Sequence, residues 1–118
     1  MARPEEIEGE SGRINIAKDV ISAVAVLPAC EVPGVFAPTG EPFPRGLAAR
    51  RHVDVELLGG DRVRLSLRIA VEYGRVVPEV VQELQQRIKT EVERMTALPV
   101  EAVDVEVTRV VFTKEQRK

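Results

Sequence analysis

Residues 63–98, VRLSLRIAVEYGRVVPEVVQELQQRIKTEVERMTAL, hold two hydrophobic periods side by side. In the first part Val63, Leu65, Leu67, Ile69, Val71 and Tyr73 alternate with Arg64, Ser66, Arg68 and Glu72, and Arg62 extends the polar series upstream. A period of two is that of a strand with one apolar and one polar face. Beyond Pro78 the period lengthens. Taken at about 100° per residue from Val77, the residues Val80, Val81, Leu84, Ile88, Val92, Met95 and Leu98 all fall within about 60° of one direction. This predicts an amphipathic helix with Pro78 in its first turn, where a missing amide costs nothing. Glu83 stands four residues before Arg87, in the orientation that supports a helix by a few tenths of a kcal/mol.

Working outward, Val53 to Leu57 alternates with Asp54 and Glu56, and Gly59-Gly60-Asp61 separates it from the long strand. That pattern predicts an antiparallel hairpin. After Pro99 the alternation returns, with Val103, Val105 and Val107 against Asp104, Glu106 and Thr108, and runs on through Val110, Val111 and Phe112. Upstream, Pro33, Pro38, Pro42 and Pro44 with Gly34, Gly40 and Gly46 permit only a short strand at Val35 and Phe36, in an otherwise exposed loop. Ala17 to Leu27 has the helical period, with Val20, Ile21, Val24 and Leu27 on one side, and Pro28 is expected to kink or stop this first helix. Arg13 to Ile16 reads as a first strand. Residues 1–12 are expected to be a mobile arm, 13–112 a single domain and 113–118 a polar tail. The order β-α-β-β-β-α-β predicts an α+β fold, a two-layer sandwich of a mostly antiparallel sheet with two helices on one face.

With 118 residues, the chain can bury a core without metals or disulfides, and its one cysteine, Cys30, excludes an internal disulfide. Seventeen Lys and Arg against nineteen Asp and Glu give a formal charge of -2, so nucleic acid is not the expected main partner. The longest apolar run, Val20 to Cys30, is broken by Ser22 and Pro28 and is too short to cross about 30 Å of hydrocarbon. The first residues lack the positive start and apolar core of a secretory signal, so a cytoplasmic address without direct membrane insertion is expected.

Little in the chain suggests catalysis. His52 is the only histidine and reads as a solvated residue at a strand start, so no pair of imidazoles is available for a metal. Cys30 has the acidic neighbour Glu31 and no nearby cation, and reads as a small buried residue. Asp54, Glu56, Asp104 and Glu106 fall on one sheet face, but Arg62, Arg64 and Arg68 share it, and cross-strand pairing accounts for them without chemistry. Gly59-Gly60 does not precede a helix, as a phosphate-cradling loop would. Tyr73 is expected to be a buried ring followed by a flexible turn at Gly74. Neither an enzyme constellation nor a cofactor site emerges.

Two features point to contacts. Val26 falls opposite Val20, Ile21 and Val24, and with Ala23 and Ala25 it leaves the first helix almost without polar surface, so Ala23 and Val26 are candidate partner or self-association residues, with burial beneath the proline-rich loop as the alternative. Phe43, between Pro42 and Pro44 and followed by Arg45, has the composition of an exposed anchor on a stiff loop, with folding back onto the core as the alternative.

Several strings together resemble the alkaline shock protein family of bacterial envelope stress response proteins. They are Gly12 to Ile21 (GRINIAKDVI), Glu31-Val32-Pro33-Gly34-Val35, Glu72-Tyr73-Gly74, Val77-Pro78, Gln82 to Gln86, Val92-Glu93-Arg94-Met95-Thr96, and Val103 to Val107 leading to Val110-Val111-Phe112. The sequence departs from the family at Pro28, at Ala97 where glycine is usual, and in the loop from Phe36 to Arg51. The resemblance implies a small, non-enzymatic, cytoplasmic protein of cell envelope homeostasis and stress in Gram-positive-type bacteria. It also implies that some members are held at the membrane by a separate integral membrane partner, and that one branch is associated with control of fatty-acid synthesis.

The expected function is therefore an adaptor or scaffold working through a protein partner, with an integral membrane anchor protein and homo-oligomer formation among the expected associations. Its candidate interaction residues are Ala23, Val26, Phe43, Arg45, Arg62, Arg64 and Arg68. The alternative is a small RNA-binding domain using the face that carries Arg62, Arg64 and Arg68; that face offers no aromatic ring for bases to stack on.

Overall fold

The computed structural model describes residues 6–9, 11–59 and 61–113. Its elements are β1 (Glu6–Gly9), β2 (Gly12–Asn15), α1 (Lys18–Glu31), β3 (Val35–Phe36), a 3-10 turn (Gly46–Arg51), β4 (Val53–Leu57), β5 (Val63–Glu72), α2 (Val77–Thr96) and β6 (Val100–Val111). The α+β class holds, with two helices over a mostly antiparallel sheet.

β5 is the spine. Its residues Val63, Leu65, Leu67, Ile69 and Val71 are all buried, while Arg64 and Arg68 are exposed on the other face. β4 pairs antiparallel with its first half, Val53 opposite Leu67 and Leu57 opposite Val63, and β3 pairs antiparallel with its end, Val35 opposite Val71. β6 runs parallel along the whole length of β5, so β3 and β4 share one edge of the spine and β6 takes the other. A parallel neighbour requires a crossover, and α2 supplies it.

Both helices cover the apolar face. α1 packs on β3, β4 and the 3-10 turn, α2 packs on β6, and the helices pack on each other. The core contains Ile21, Val26 and Ala29 of α1 with Leu84, Ile88 and Val92 of α2, all fully buried. α2 spans the predicted length and buries the predicted side, except that Met95 is 56% exposed. The chain leaves α2 through Ala97, which holds a left-handed backbone (φ 60°) while its amide donates to the Glu93 carbonyl. Around this corner Thr96 Oγ1 donates to the Val92 carbonyl (2.7 Å) and accepts from the Leu98 amide (3.2 Å), and a Glu93 carboxylate oxygen accepts from the Val100 amide (2.9 Å). These bonds satisfy groups that the helix end would otherwise leave unpaired.

Four expectations change. α1 continues through Pro28 to Glu31. The proline is buried, the Val32 amide bonds to its carbonyl at 2.8 Å, and the loss is confined to the one amide that proline lacks. The first strand, Gly12–Asn15, does not join the main sheet; it pairs antiparallel with Glu6–Gly9, inside the stretch expected to be an unpaired arm. The rest of that arm, residues 1–5 and 10, and the tail after Thr113 lie outside the described residues, as does Gly60 of the hairpin turn. The proline-rich loop holds the expected short strand, but it also buries Ala37 and Phe43. Finally, Tyr73, the residue after β5, is 56% exposed rather than buried.

Candidate interaction surfaces

α1 has few polar side chains with which to mark its outer side, and the fold chooses for it. Ile21, Ser22, Ala25, Val26 and Ala29 face inward, and the Ser22 hydroxyl donates to the Val53 carbonyl at 3.5 Å, tying the helix to β4. Outward lie Val20, Ala23 and Leu27, with Val20 50% exposed and the other two half-buried. Together with Asp19, Val24 and Gly46 they line an open, almost wholly apolar groove of about 430 Å³. Of the two residues expected to mark an outer face, Ala23 lies in this groove, but Val26 is fully buried and cannot touch a partner. Val20, expected to face the core, is the most exposed residue of the stripe. An apolar strip at this spacing is suited to another apolar helix or segment.

Phe43 is also a correction. Only 5% exposed, it sits in the core, its ring edge-on to His52 with centroids 5.7 Å apart, and its carbonyl accepts from the Cys30 thiol at 3.5 Å. The stiff prolines on either side deliver the ring inward, while Pro42 and Arg45 are exposed. Cys30 is half-buried and free, and its hydrogen bond helps to hold this loop to α1.

The sheet face away from the helices carries both charges, as the alternation predicts. Arg62 bonds to Glu101 at 3.0 Å, Arg64 lies 3.7 Å from Asp104 and Arg68 lies 3.5 Å from Glu106. Each of these arginines thus answers a carboxylate of β6, and Asp54 and Glu56 of β4 add further negative charge to the same face. An open concavity on this face is lined by Arg51, His52, Asp54, Ser66, Arg68 and Glu106 among others. Its charges are mixed. The pairs are exposed, so each is worth at most about 1 kcal/mol. Among the described residues no group of three or more His, Cys, Asp or Glu is placed to hold a metal ion. No helix among them is long and apolar enough to cross a membrane.

One cluster was not legible as exposed. Tyr73 stacks on Phe112 with ring centroids 5.0 Å apart and planes 23° from parallel, and Val76 and Val110 are also exposed. The sequence signal is visible only in retrospect: Gly74-Arg75 follows the tyrosine and Phe112 precedes the polar tail, so each ring directly follows the last residue of its strand, β5 or β6.

Away from these surfaces, Arg94 donates two hydrogen bonds to Glu91, at 2.8 and 3.2 Å. They hold the Glu91 carboxyl below its ordinary range and raise Arg94 in turn.

The chain is similar over 113 residues to the uncharacterized protein YqhY of Bacillus subtilis strain 168, at 28% identity, covering 89% of this chain and 82% of that one. No solved structure matches it. The model of the alkaline shock protein 23 family, described as having a cell envelope-related function, matches residues 6–112, from β1 through the end of β6 and the stacked Phe112. The chain belongs to that family, and its role is cell envelope-related.

Proposed function

We propose that the protein is a non-enzymatic adaptor or scaffold of cell envelope homeostasis and stress response, acting through protein contacts made by the outer stripe of α1. The observation that carries this reading is the apolar groove at Val20, Ala23 and Leu27, on a helix whose opposite side is locked into the core. An exposed Val and a half-exposed Leu flanking an Ala let another helix approach closely, and burying them on association is favourable at about 25 cal/mol per Å² of apolar surface. In this reading the protein works on the cytoplasmic side of the envelope and attaches through a membrane-embedded partner. Self-association through the same stripe belongs to this reading.

The pairing of Arg62, Arg64 and Arg68 with Glu101, Asp104 and Glu106 speaks against the RNA-binding alternative. A phosphate backbone would have to displace a carboxylate at each of these cations, so the electrostatic gain that drives such binding is reduced.

Affinity capture of the tagged protein from its own host, at physiological salt, after nuclease treatment and mild detergent extraction, tests the reading. The expected result is a dominant integral membrane protein or envelope factor that survives both salt and nuclease. Enrichment confined to ribonucleoproteins that vanish with nuclease would overturn it.

A further inference from the structure

β6 pairs with β5 alone, and no other described strand pairs with its second edge. Which backbone groups face that edge follows from the bonds on the opposite side. The Val63 amide donates to the Pro99 carbonyl at 3.0 Å and the Tyr73 amide to the Val111 carbonyl at 2.8 Å, so both carbonyls face β5. Backbone direction alternates along a strand, and each bulge shifts the alternation by one residue. β6 carries an extra residue at Glu101 and another at Thr108, where its register with β5 slips. Between the two bulges, therefore, residues 102, 104 and 106 turn their amides and carbonyls toward β5, while Val103, Val105 and Val107 turn theirs away. The fold agrees: the Val103 carbonyl is met from outside the ladder by the side-chain amide of Gln85, at 2.9 Å. No bond to the outward groups of Val105 and Val107 is found among the described residues.

The two faces of this edge differ in chemistry. On the helix side the side chains of Val105 and Val107 are half-buried, whereas the matching positions of β5, Leu67 and Ile69, are buried. On the other side Asp104 and Glu106 are 63% and 70% exposed, and no Lys or Arg occurs between Val100 and Thr108. Their arginine partners approach only to 3.7 and 3.5 Å from the β5 side, and both carboxylates remain largely exposed.

We propose that the open edge of β6 between its two bulges is a strand-addition site for an extended segment of a partner protein whose side chains alternate apolar and basic. The backbone of Val105 and Val107 would supply ladder hydrogen bonds. The apolar side chains would extend the valine row under α2, and the basic ones would meet Asp104 and Glu106. A second copy of this chain fits less well, because antiparallel pairing of β6 on itself about Val105 sets Asp104 opposite Glu106, and like charges directly opposite destabilise. This surface is at the edge of the sheet remote from β4, on which α1 packs, so it stands or falls independently of the α1 reading.

The test is selection of random displayed octapeptides on the full chain, followed by amide hydrogen exchange of the wild-type protein with a selected peptide. The expected winners carry Lys or Arg at every second position with apolar residues between, and they protect the Val105 and Val107 amides. Val105→Pro removes an outward donor without breaking a bond to β5, a position where edge strands tolerate proline. It is expected to weaken binding by about tenfold or more, while Val105→Ala keeps the amide and the affinity to within about threefold. The pair Asp104→Asn and Glu106→Gln should weaken binding roughly fivefold. Peptides that are acidic or helical, binding indifferent to both substitutions, or unchanged exchange at Val105 and Val107 would each overturn the proposal. So would amides already protected in the free protein in proportion to its concentration, since the edge would then be held by a second copy.

Discussion

The two helices pack on the same sheet and on each other, yet one announces its inner face in the sequence and the other does not. In α2 the apolar side is bounded by Glu79, Glu83, Gln86, Lys89 and Glu93, so there is only one way to bury it. In α1 the positions between Val20 and Ala29 are apolar all round except for Ser22, and several orientations bury a similar area. What chooses is tertiary: Ser22 finds the Val53 carbonyl, and Ile21, Val26 and Ala29 find α2 and the sheet. A helix rich enough in apolar residues to be buried anywhere leaves a remainder outside, and here the remainder is Val20, Ala23 and Leu27. The same lack of polar residues that hid the orientation of α1 supplies its candidate contact surface.

The sharpest way to break this comparison is a pair of identical changes on the two sides of α1. Val26→Asp buries a carboxylate with no partner and is expected to cost about 3–5 kcal/mol or more, enough to unfold a marginally stable domain. Val20→Asp places the same group in water near the helix start and is expected to change stability by no more than about 0.5 kcal/mol. Denaturant titration followed by circular dichroism checks both, and equal losses would mean that α1 is rotated away from the orientation that buries Val26 and exposes Val20.

Phe43→Ala extends the comparison to the loop beside α1. Because the ring is in the core, about 3–5 kcal/mol should be lost, whereas an exposed anchor would lose almost nothing; the urea midpoint distinguishes the two. At the end of α2 the expected change has the opposite sign. Ala97 occupies a left-handed position that glycine adopts without strain, so Ala97→Gly should stabilise by about 1 kcal/mol and raise the melting temperature by several degrees.

The smallest effect concerns the exposed pair on α2. Glu91 is held low by its hydrogen bonds to Arg94, so its contribution is present above the ordinary carboxylate range and is lost as the pH falls through the lowered value. Arg94→Gln should return the Glu91 titration to that ordinary range, as followed by the chemical shift of its side chain, with little change in melting at neutral pH.

What the sequence disclosed follows the same division. β4, β5 and α2 were legible because polar and apolar residues alternate there at the period of the element, and the short strand at Val35 and Phe36 because breakers bound it. The arginine-carboxylate face was legible for the same reason. The orientation of α1 was not, nor was the burial of Phe43, whose proline neighbours suit an inward loop as well as an exposed one. Pro28 misled because a proline near a helix end removes one bond without ending the helix when the surroundings bury it. Tyr73 misled because the alternation runs through it although the strand ends at Glu72, one residue earlier. Gly12–Asn15 overlaps the stretch read as a strand, but its partner Glu6–Gly9 holds a single apolar residue, Ile7, too little pattern from which to predict the pairing.

The measurement that bears most directly on the α1 stripe is one experiment with two readouts: melting of purified wild type and Val20→Asp, and recovery of membrane-embedded partner protein when each is used as bait in host extracts. Coincident melting curves and loss of the partner from the variant are expected if the stripe is the contact surface. Full recovery of the partner by a normally folded Val20→Asp protein would contradict that assignment, and the outer side of α1 would then be surface without a function in binding.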